Sequence, residues 1–178
     1  MTTDGRRPAV VIDLDGVIWL GNEPLPGAAD AVARFRAAGL AVGFMTNNSS
    51  LPVAGYVEKL ARLGVEAATE EVLTSALASA DLLAGELAPG ARVLACSGPG
   101  VVEALEERGF EVVDAGQPDP GPVDAVVVGW HQTFDFGRLD RASAAVRAGA
   151  RFVATNLDAT YPAPGGLLPG NGSLVAAV

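Results

Sequence analysis

Soft and basic metal-binding side chains are scarce in this chain. It has one cysteine, Cys96, one histidine, His131, and one lysine, Lys59, and its other eleven basic residues are arginines. A single cysteine excludes an internal disulfide, and a single histidine excludes a metal centre built on imidazoles. The formal net charge is −9 and no run or stripe of Lys and Arg occurs, so nucleic acid is not an expected partner. A small anionic ligand stays compatible with that charge, because a local field can be positive in an acidic protein. No uninterrupted apolar run reaches membrane-spanning length, and the opening MTTDGRRP lacks the apolar segment of a signal peptide. The expectation is a soluble, cytoplasmic protein with no membrane partner.

What is present is the material of a packed α/β domain. Apolar residues make up 49% and charged residues 19%, while 22 glycines and 12 prolines indicate many short connections. One junction recurs: an Ala/Arg-rich helical segment, a glycine, then a β-branched strand. RAAGLAVGFMTN, ERGFEVVDA and RAGARFVATN share it, with Gly39, Gly109 and Gly149 at the helix end, where a left-handed residue is wanted. The spacing predicts strands over 9–13, 41–46, 92–96, 111–114, 125–129 and 151–155. Their unbroken apolar runs suit a parallel sheet buried on both faces. Helices are predicted over 28–38, 51–63, 76–87, 100–108 and 136–148. In 51–63, Ser50 is a candidate N-cap and Gly64 closes the helix. A boundary is expected near residue 76.

The chemistry concentrates at the end of the first strand, in PAVVIDLDGVIWLG. Strand alternation aims Asp13 and Asp15 the same way, and ligands of open α/β sheets bind at the carboxyl ends of strands. Two carboxylates so close repel unless a hard cation such as Mg2+ joins them. One could then attack phosphorus and the other could carry the proton, with Gly16 letting the backbone turn close to the ligand. An aspartate at a strand end can also serve only as a cap. FMTNNSS ends the second predicted strand with Thr46, Asn47, Asn48, Ser49 and Ser50. A hydroxyl, an amide and free backbone N–H groups ahead of a helix can hold phosphate oxygens, or can simply cap that helix.

On DLDGVIW, FMTNNSS, VLTSALASADLL and GARFVATNLDATYPAPGGLLPGNGSLVAAV, the chain resembles the haloacid dehalogenase superfamily. More specifically, it is similar to the subfamily IIA phosphatases of the phosphoglycolate and 4-nitrophenyl phosphate type. The resemblance implies a Rossmann-like parallel-sheet core with an inserted α/β cap, the first part of the core in 1–76 and the cap with its return segment in 77–178. It implies Mg2+-dependent hydrolysis of a small phosphorylated metabolite, with homo-oligomerisation through the cap as an option. By position, Asp13 is the nucleophile, Asp15 the acid/base, both metal ligands, and Thr46 the phosphate-binding hydroxyl with Asn47 beside the substrate. The family also has a lysine after the cap and an acidic pair on a later strand, and neither is matched here. Lys59 lies on an early helix and is a poor substitute, and the D-x4-D of Asp135 and Asp140 opens a predicted helix. The expectation is therefore that the chain is part of a longer phosphatase, with its 9–13 strand presenting an exposed apolar edge. The alternative is a non-catalytic module that binds a phosphorylated ligand or a protein.

Weaker signals have plainer readings. SGPG, 97–100, could cradle an anion ahead of a helix, but a turn serves as well. His131 and Cys96 suit structural positions. Asp158 and Thr160, in TNLDATYP, could face a site or fix a loop. Trp19 and Trp130 are expected to be packing anchors.

Overall fold

The computed structural model of the protein describes residues 8–178, and MTTDGRR, read above for a signal peptide, lies outside them. The chain begins with β1 (Ala9–Asp13), a hairpin of β2 (Trp19–Leu20) and β3 (Glu23–Pro24), α1 (Ala28–Ala37) and β4 (Ala41–Thr46). It continues with α2 (Val53–Arg62), a 3-10 turn at Thr69–Glu71, β5 (Val72–Thr74), α3 (Ser75–Glu86), β6 (Arg92–Cys96), α4 (Pro99–Glu107) and β7 (Glu111–Asp114). It ends with β8 (Ala125–Val128), α5 (Phe136–Arg147), β9 (Arg151–Ala154), β10 (Thr160–Ala163), β11 (Gly166–Pro169) and α6 (Asn171–Ala177). Gly39, Gly109 and Gly149 have φ of +80°, +80° and +100°, the left-handed conformation expected at the three helix-to-strand junctions. Among the described residues, no helix is long and apolar enough to cross a membrane.

The elements form two compact units. The first takes the residues up to Thr46, with Val53–Leu73 and Pro162–Gly166; the second takes Asn47–Pro52, Thr74–Tyr161 and Leu167–Val178.

In the first unit the sheet order is β1-β4-β5, with β1 parallel to β4. The pairs Val10–Val42 and Ile12–Phe44 turn toward one face, where Val32 of α1 and Tyr56 and Leu60 of α2 complete the core. Trp19, Phe44, Tyr56, Leu14 and Leu60 are its largest fully buried side chains, each worth roughly 1.5–3 kcal/mol by the apolar area it removes from water. The opposite face, carrying Val11, Met45 and Leu73, stays 62%, 47% and 42% exposed. The unbroken apolar runs of its strands suit burial on both faces. Here α1 and α2 both contribute to one face, so this sheet is single-faced. β1 stands at the edge of the sheet order, and its exposed Val11 agrees with the apolar edge that the sequence predicted.

The second unit matches the two-faced expectation. Its sheet runs β7-β6-β8-β9, with each neighbouring pair parallel. Val93, Ala125, Val127 and Val153 face one way, onto Leu83 of α3 and Val101 and Leu105 of α4. Leu94, Cys96, Val126 and Val128 face the other way, onto Ala142 of α5 and Leu174 and Val175 of α6. All four residues of β8 are buried, as a continuous apolar run in a central parallel strand should be.

Candidate active site

β1 delivers Asp13 as its last residue, and the next turn is held by one carbonyl. The Leu14 oxygen accepts the amides of Val17, Ile18 and Trp19 at 3.2, 2.9 and 3.3 Å. Leu14 itself is fully buried, so the residues on either side of it are turned away from the core. Asp13 is exposed and Asp15 half-buried. Gly16, at φ +82°, lets the chain reverse there and donates its amide to the Trp19 oxygen at 2.7 Å.

Each carboxylate has a defined donor. Asp13 Oδ1 accepts the Leu14 amide at 2.8 Å, and Asp15 Oδ1 accepts Trp19 Nε1–H at 2.7 Å. In the β1–β4 register Asp13 stands beside Met45, so Thr46 follows one residue beyond it at the same edge, and is 2% exposed. The sequence brought these three residues together by strand position, and the first unit has them at neighbouring strand ends. Two carboxylates are oxygen donors of the kind a hard cation prefers. Among the described residues, however, no group of three or more His, Cys, Asp or Glu side chains could hold a metal.

Lys59 lies on α2, the early helix on which the sequence placed it. Its ammonium donates to the Gly21 carbonyl at 2.8 Å and lies over the Trp19 ring, 4.1 Å from the centroid. Burial pushes its pKa down, the Asp15 charge offsets part of that, and Arg62 lowers it further.

Asn47 begins the part of the chain that belongs to the second unit, and there it is thoroughly engaged. Its side-chain amide donates to Asp158 Oδ2. Its carbonyl accepts Ser75 Oγ–H at 2.6 Å and Asn156 Nδ2–H at 2.8 Å. Beyond NNSS, α2 starts at Val53, three residues after Ser50. Asn48 Oδ1 accepts the Ser50 amide at 3.0 Å. Ser49 is fully buried, with Oγ 2.9 Å from Thr155 Oγ1. Asn171 then donates to the Val128 carbonyl, Thr155 Oγ1 and the Asn156 carbonyl at 3.1, 3.3 and 2.9 Å. Sequence reading missed this buried network. Its one signal is the asparagine of PGNGS, placed where a helix starts.

The remaining signals resolve structurally. The α4 N-terminus in SGPG is closed by protein: the Gly100 amide donates to the Ser50 carbonyl at 3.3 Å, and a Cβ on Gly98 would lie 2.7 Å from that oxygen. Asp135 caps α5, accepting the Arg138 amide at 2.7 Å. Asp158 fixes a loop, its carbonyl accepting the Gly172 amide at 2.9 Å. Thr160 opens β10. His131 donates from Nδ1 to the Gly129 carbonyl at 2.8 Å and packs edge-on to Phe134. Its Nε2 is buried without a partner among the described residues, and burial pushes its pKa down. Burial pushes the Cys96 thiol up to about 11, so it stays protonated and inert. Trp130 packs edge-on to Tyr161 and donates to the Pro169 carbonyl at 3.1 Å.

The chain is similar to known proteins. The family model of the haloacid dehalogenase-like hydrolases matches residues 10–111. D-glycerol 3-phosphate phosphatase of Mycobacterium tuberculosis is 42% identical over 173 residues, covering 97% of this chain and 47% of that protein. Acid sugar phosphatase of Staphylococcus saprophyticus is 38% identical over 170 residues, covering 96% and 63%. The crystal structure of the M. tuberculosis glycerol phosphate phosphatase in complex with magnesium superposes with a TM-score of 0.87 at 40% identity, over 96% of this chain and 50% of that one. That of p-nitrophenyl phosphatase from Archaeoglobus fulgidus gives 0.81 at 30% identity, over 96% and 63%. The chain thus spans about half to two thirds of the length of these relatives. Its two α/β units, the aspartates that close its first strand and a family match over more than half its length agree: the chain belongs to the haloacid dehalogenase-like hydrolases.

Proposed function

We propose that the protein hydrolyses small phosphate monoesters, with phosphorylated polyols or sugars as the substrate class, through a phosphorylated Asp13. One observation carries this reading: Asp13 and Asp15 flank a buried Leu14 at the end of β1, one strand from the buried Thr46 hydroxyl. Relatives that are phosphatases of glycerol 3-phosphate and acid sugars support the substrate class. An Asp13 oxygen attacks phosphorus and the ester P–O bond breaks, while Asp15 gives its proton to the departing alkoxide. Asp15 then takes a proton from water, whose oxygen attacks the aspartyl-phosphate. Inorganic phosphate leaves and the Asp13 carboxylate is restored. Thr46 supplies a hydroxyl to the phosphate, and Asn47, with its side chain on Asp158, borders the substrate. Asp13 and Asp15 would hold Mg2+, which neutralises charge on the transferring group when bound.

Two carboxylates do not complete a metal site, and Lys59, held at the Gly21 carbonyl and over the Trp19 ring, is a poor substitute for the family's lysine. The lysine and acidic pair of the family are therefore proposed to lie in sequence outside these 178 residues, as the greater length of the relatives supports. On the same reading 1–76 is the first part of the core and 77–178 the cap with its return segment, although the compact units interleave across those ranges. The second reading, a non-catalytic phosphate-binding module, is favoured by the lack of a third metal ligand among the described residues.

Two measurements separate them. Protein made from the native gene should have an intact mass above 18.0 kDa and hydrolyse p-nitrophenyl phosphate only with Mg2+. Asp13→Asn should remove that turnover and leave the fold intact. Retained Mg2+-dependent turnover in this variant would sink the nucleophile assignment, and a mass of 18.0 kDa without turnover would favour binding.

A further inference from the structure

The first unit ties Asp15 to residue 19 through side chain and backbone. The Trp19 indole N–H donates to Asp15 Oδ1 at 2.7 Å, and residues 15 and 19 form an isolated β-bridge in which the Gly16 amide donates to the Trp19 carbonyl at 2.7 Å. The indole is fully buried, so no water can replace its N–H as donor without a cavity opening. On the ring face stands the chain's single lysine, with Nζ 4.1 Å from the centroid, its stem rising from α2. The same ammonium is anchored to the Gly21 carbonyl at 2.8 Å. Gly21, at φ +61°, is the first residue of the two-residue turn between β2 and β3, so the anchor fixes the hairpin that carries Trp19.

We propose that Trp19 and Lys59 are positioning residues for Asp15: the indole holds one oxygen of the carboxylate, and the ammonium clamps the indole and its hairpin. This deepens the phosphatase reading above and rests on it. A proton carrier must meet first the leaving oxygen and then water at one place, so a fixed carboxylate plane matters more for turnover than for ground-state binding. The cation over the ring face strengthens the arrangement, because it is attracted by the ring and polarises the indole N–H toward the anion. The sole lysine thus acts on the carboxylate that carries the proton, and through Trp19.

The test uses intact protein from the native gene, p-nitrophenyl phosphate and Mg2+. Trp19→Phe keeps the ring and removes the donor, and should lower kcat about tenfold or more, with KM moving less than about twofold. Lys59→Met should lower kcat in the same direction, and Lys59→Arg should restore most of it. A second readout does not need turnover: the Trp19 indole N–H proton resonance, assigned by its loss in Trp19→Phe, should move upfield in Asp15→Ala and far less in Asp13→Ala. A parent enzyme that turns over, with Trp19→Phe equal to it or altered only in KM, would overturn the positioning role alone. An indole resonance indifferent to Asp15→Ala would do the same. A parent protein that hydrolyses no phosphate ester would overturn the reaction, and the positioning role with it.

Discussion

Buried polar residues in the second unit are held by neighbours that leave little room for a change of charge. His131 is 7% exposed, and its ring reaches the Gly129 carbonyl through Nδ1 while Nε2 has no partner among the described residues. Burial disfavours the imidazolium. Arg138 adds to that, while the Gly129 hydrogen bond, Asp114 and Asp135 work against it, and the net direction is down from the ordinary 6.5. The unfolded chain then binds a proton more readily than the folded one below pH 6.5, so stability falls as the pH drops from 6.5 through the lower folded-state value. His131→Gln should flatten that acid limb, read from urea midpoints between pH 7 and 5; an unchanged limb would mean that other groups govern it. Asn171 offers a second case. Its Nδ2 faces three oxygen acceptors, so Asn171→Asp places a carboxylate among oxygens. We expect a loss of about 3 kcal/mol or more in urea unfolding at neutral pH. Neither role could be read from the sequence, because a lone His or Asn carries no periodic signal and its partners lie in distant segments.

Loops of the second unit pack backbone against backbone, and glycine decides where they can. Gly100, in the first turn of α4, lies against the Leu51 and Ser49 carbonyls, and an added Cβ would stand 2.7 Å from the Ser49 oxygen. Gly85, late in α3, has nothing within 4 Å of such a Cβ. Gly100→Ala should therefore destabilise the protein by about 2 kcal/mol through overpacking. Gly85→Ala should stabilise it by roughly 0.5–1 kcal/mol, because it only restricts the unfolded chain. Equal effects from the two substitutions would refute the close approach of 47–52 to α4. The elements legible in the sequence were those with a long pattern: the six strands and five helices read from it are all present, with ends within about two residues. The missed ones had too little pattern to show. β2 and β3 are two residues each, and β5 is three residues behind a 3-10 turn. β10 and β11 carry Pro162 and Pro169 and flank a glycine turn, a composition that reads as loop. The Asp13–Asp15 pattern was legible because alternation about one buried leucine is local. The Lys59 contact to its surroundings was not, since 40 residues separate it from Trp19 in the chain.

At the scale of the whole molecule, the first unit leaves one face of its sheet apolar and open. Val11, Met45 and Leu73 are all substantially exposed there, and β1 lies at the end of the strand order with its outer side unpaired by any described strand. An exposed apolar strand at a sheet edge is a template for pairing with another chain. The net charge of −9 opposes that association through mutual repulsion. Screening decides between the two: at about 0.15 M salt the repulsion acts over only about 8 Å, while apolar burial on contact is undiminished. We therefore expect the 178-residue chain to self-associate more as salt is raised. Val11→Lys combined with Leu73→Thr should suppress this, because a lysine on the edge strand must be desolvated for a second strand to dock. Neither residue belongs to the core shared by α1 and α2, so the urea midpoint should move little. Sedimentation velocity at several salt concentrations reads the association of both proteins, and urea unfolding reads the midpoint. A parent chain that stays monomeric at high salt would show that the open face is not a site of association, and an equally associated double variant would move the contact to another surface.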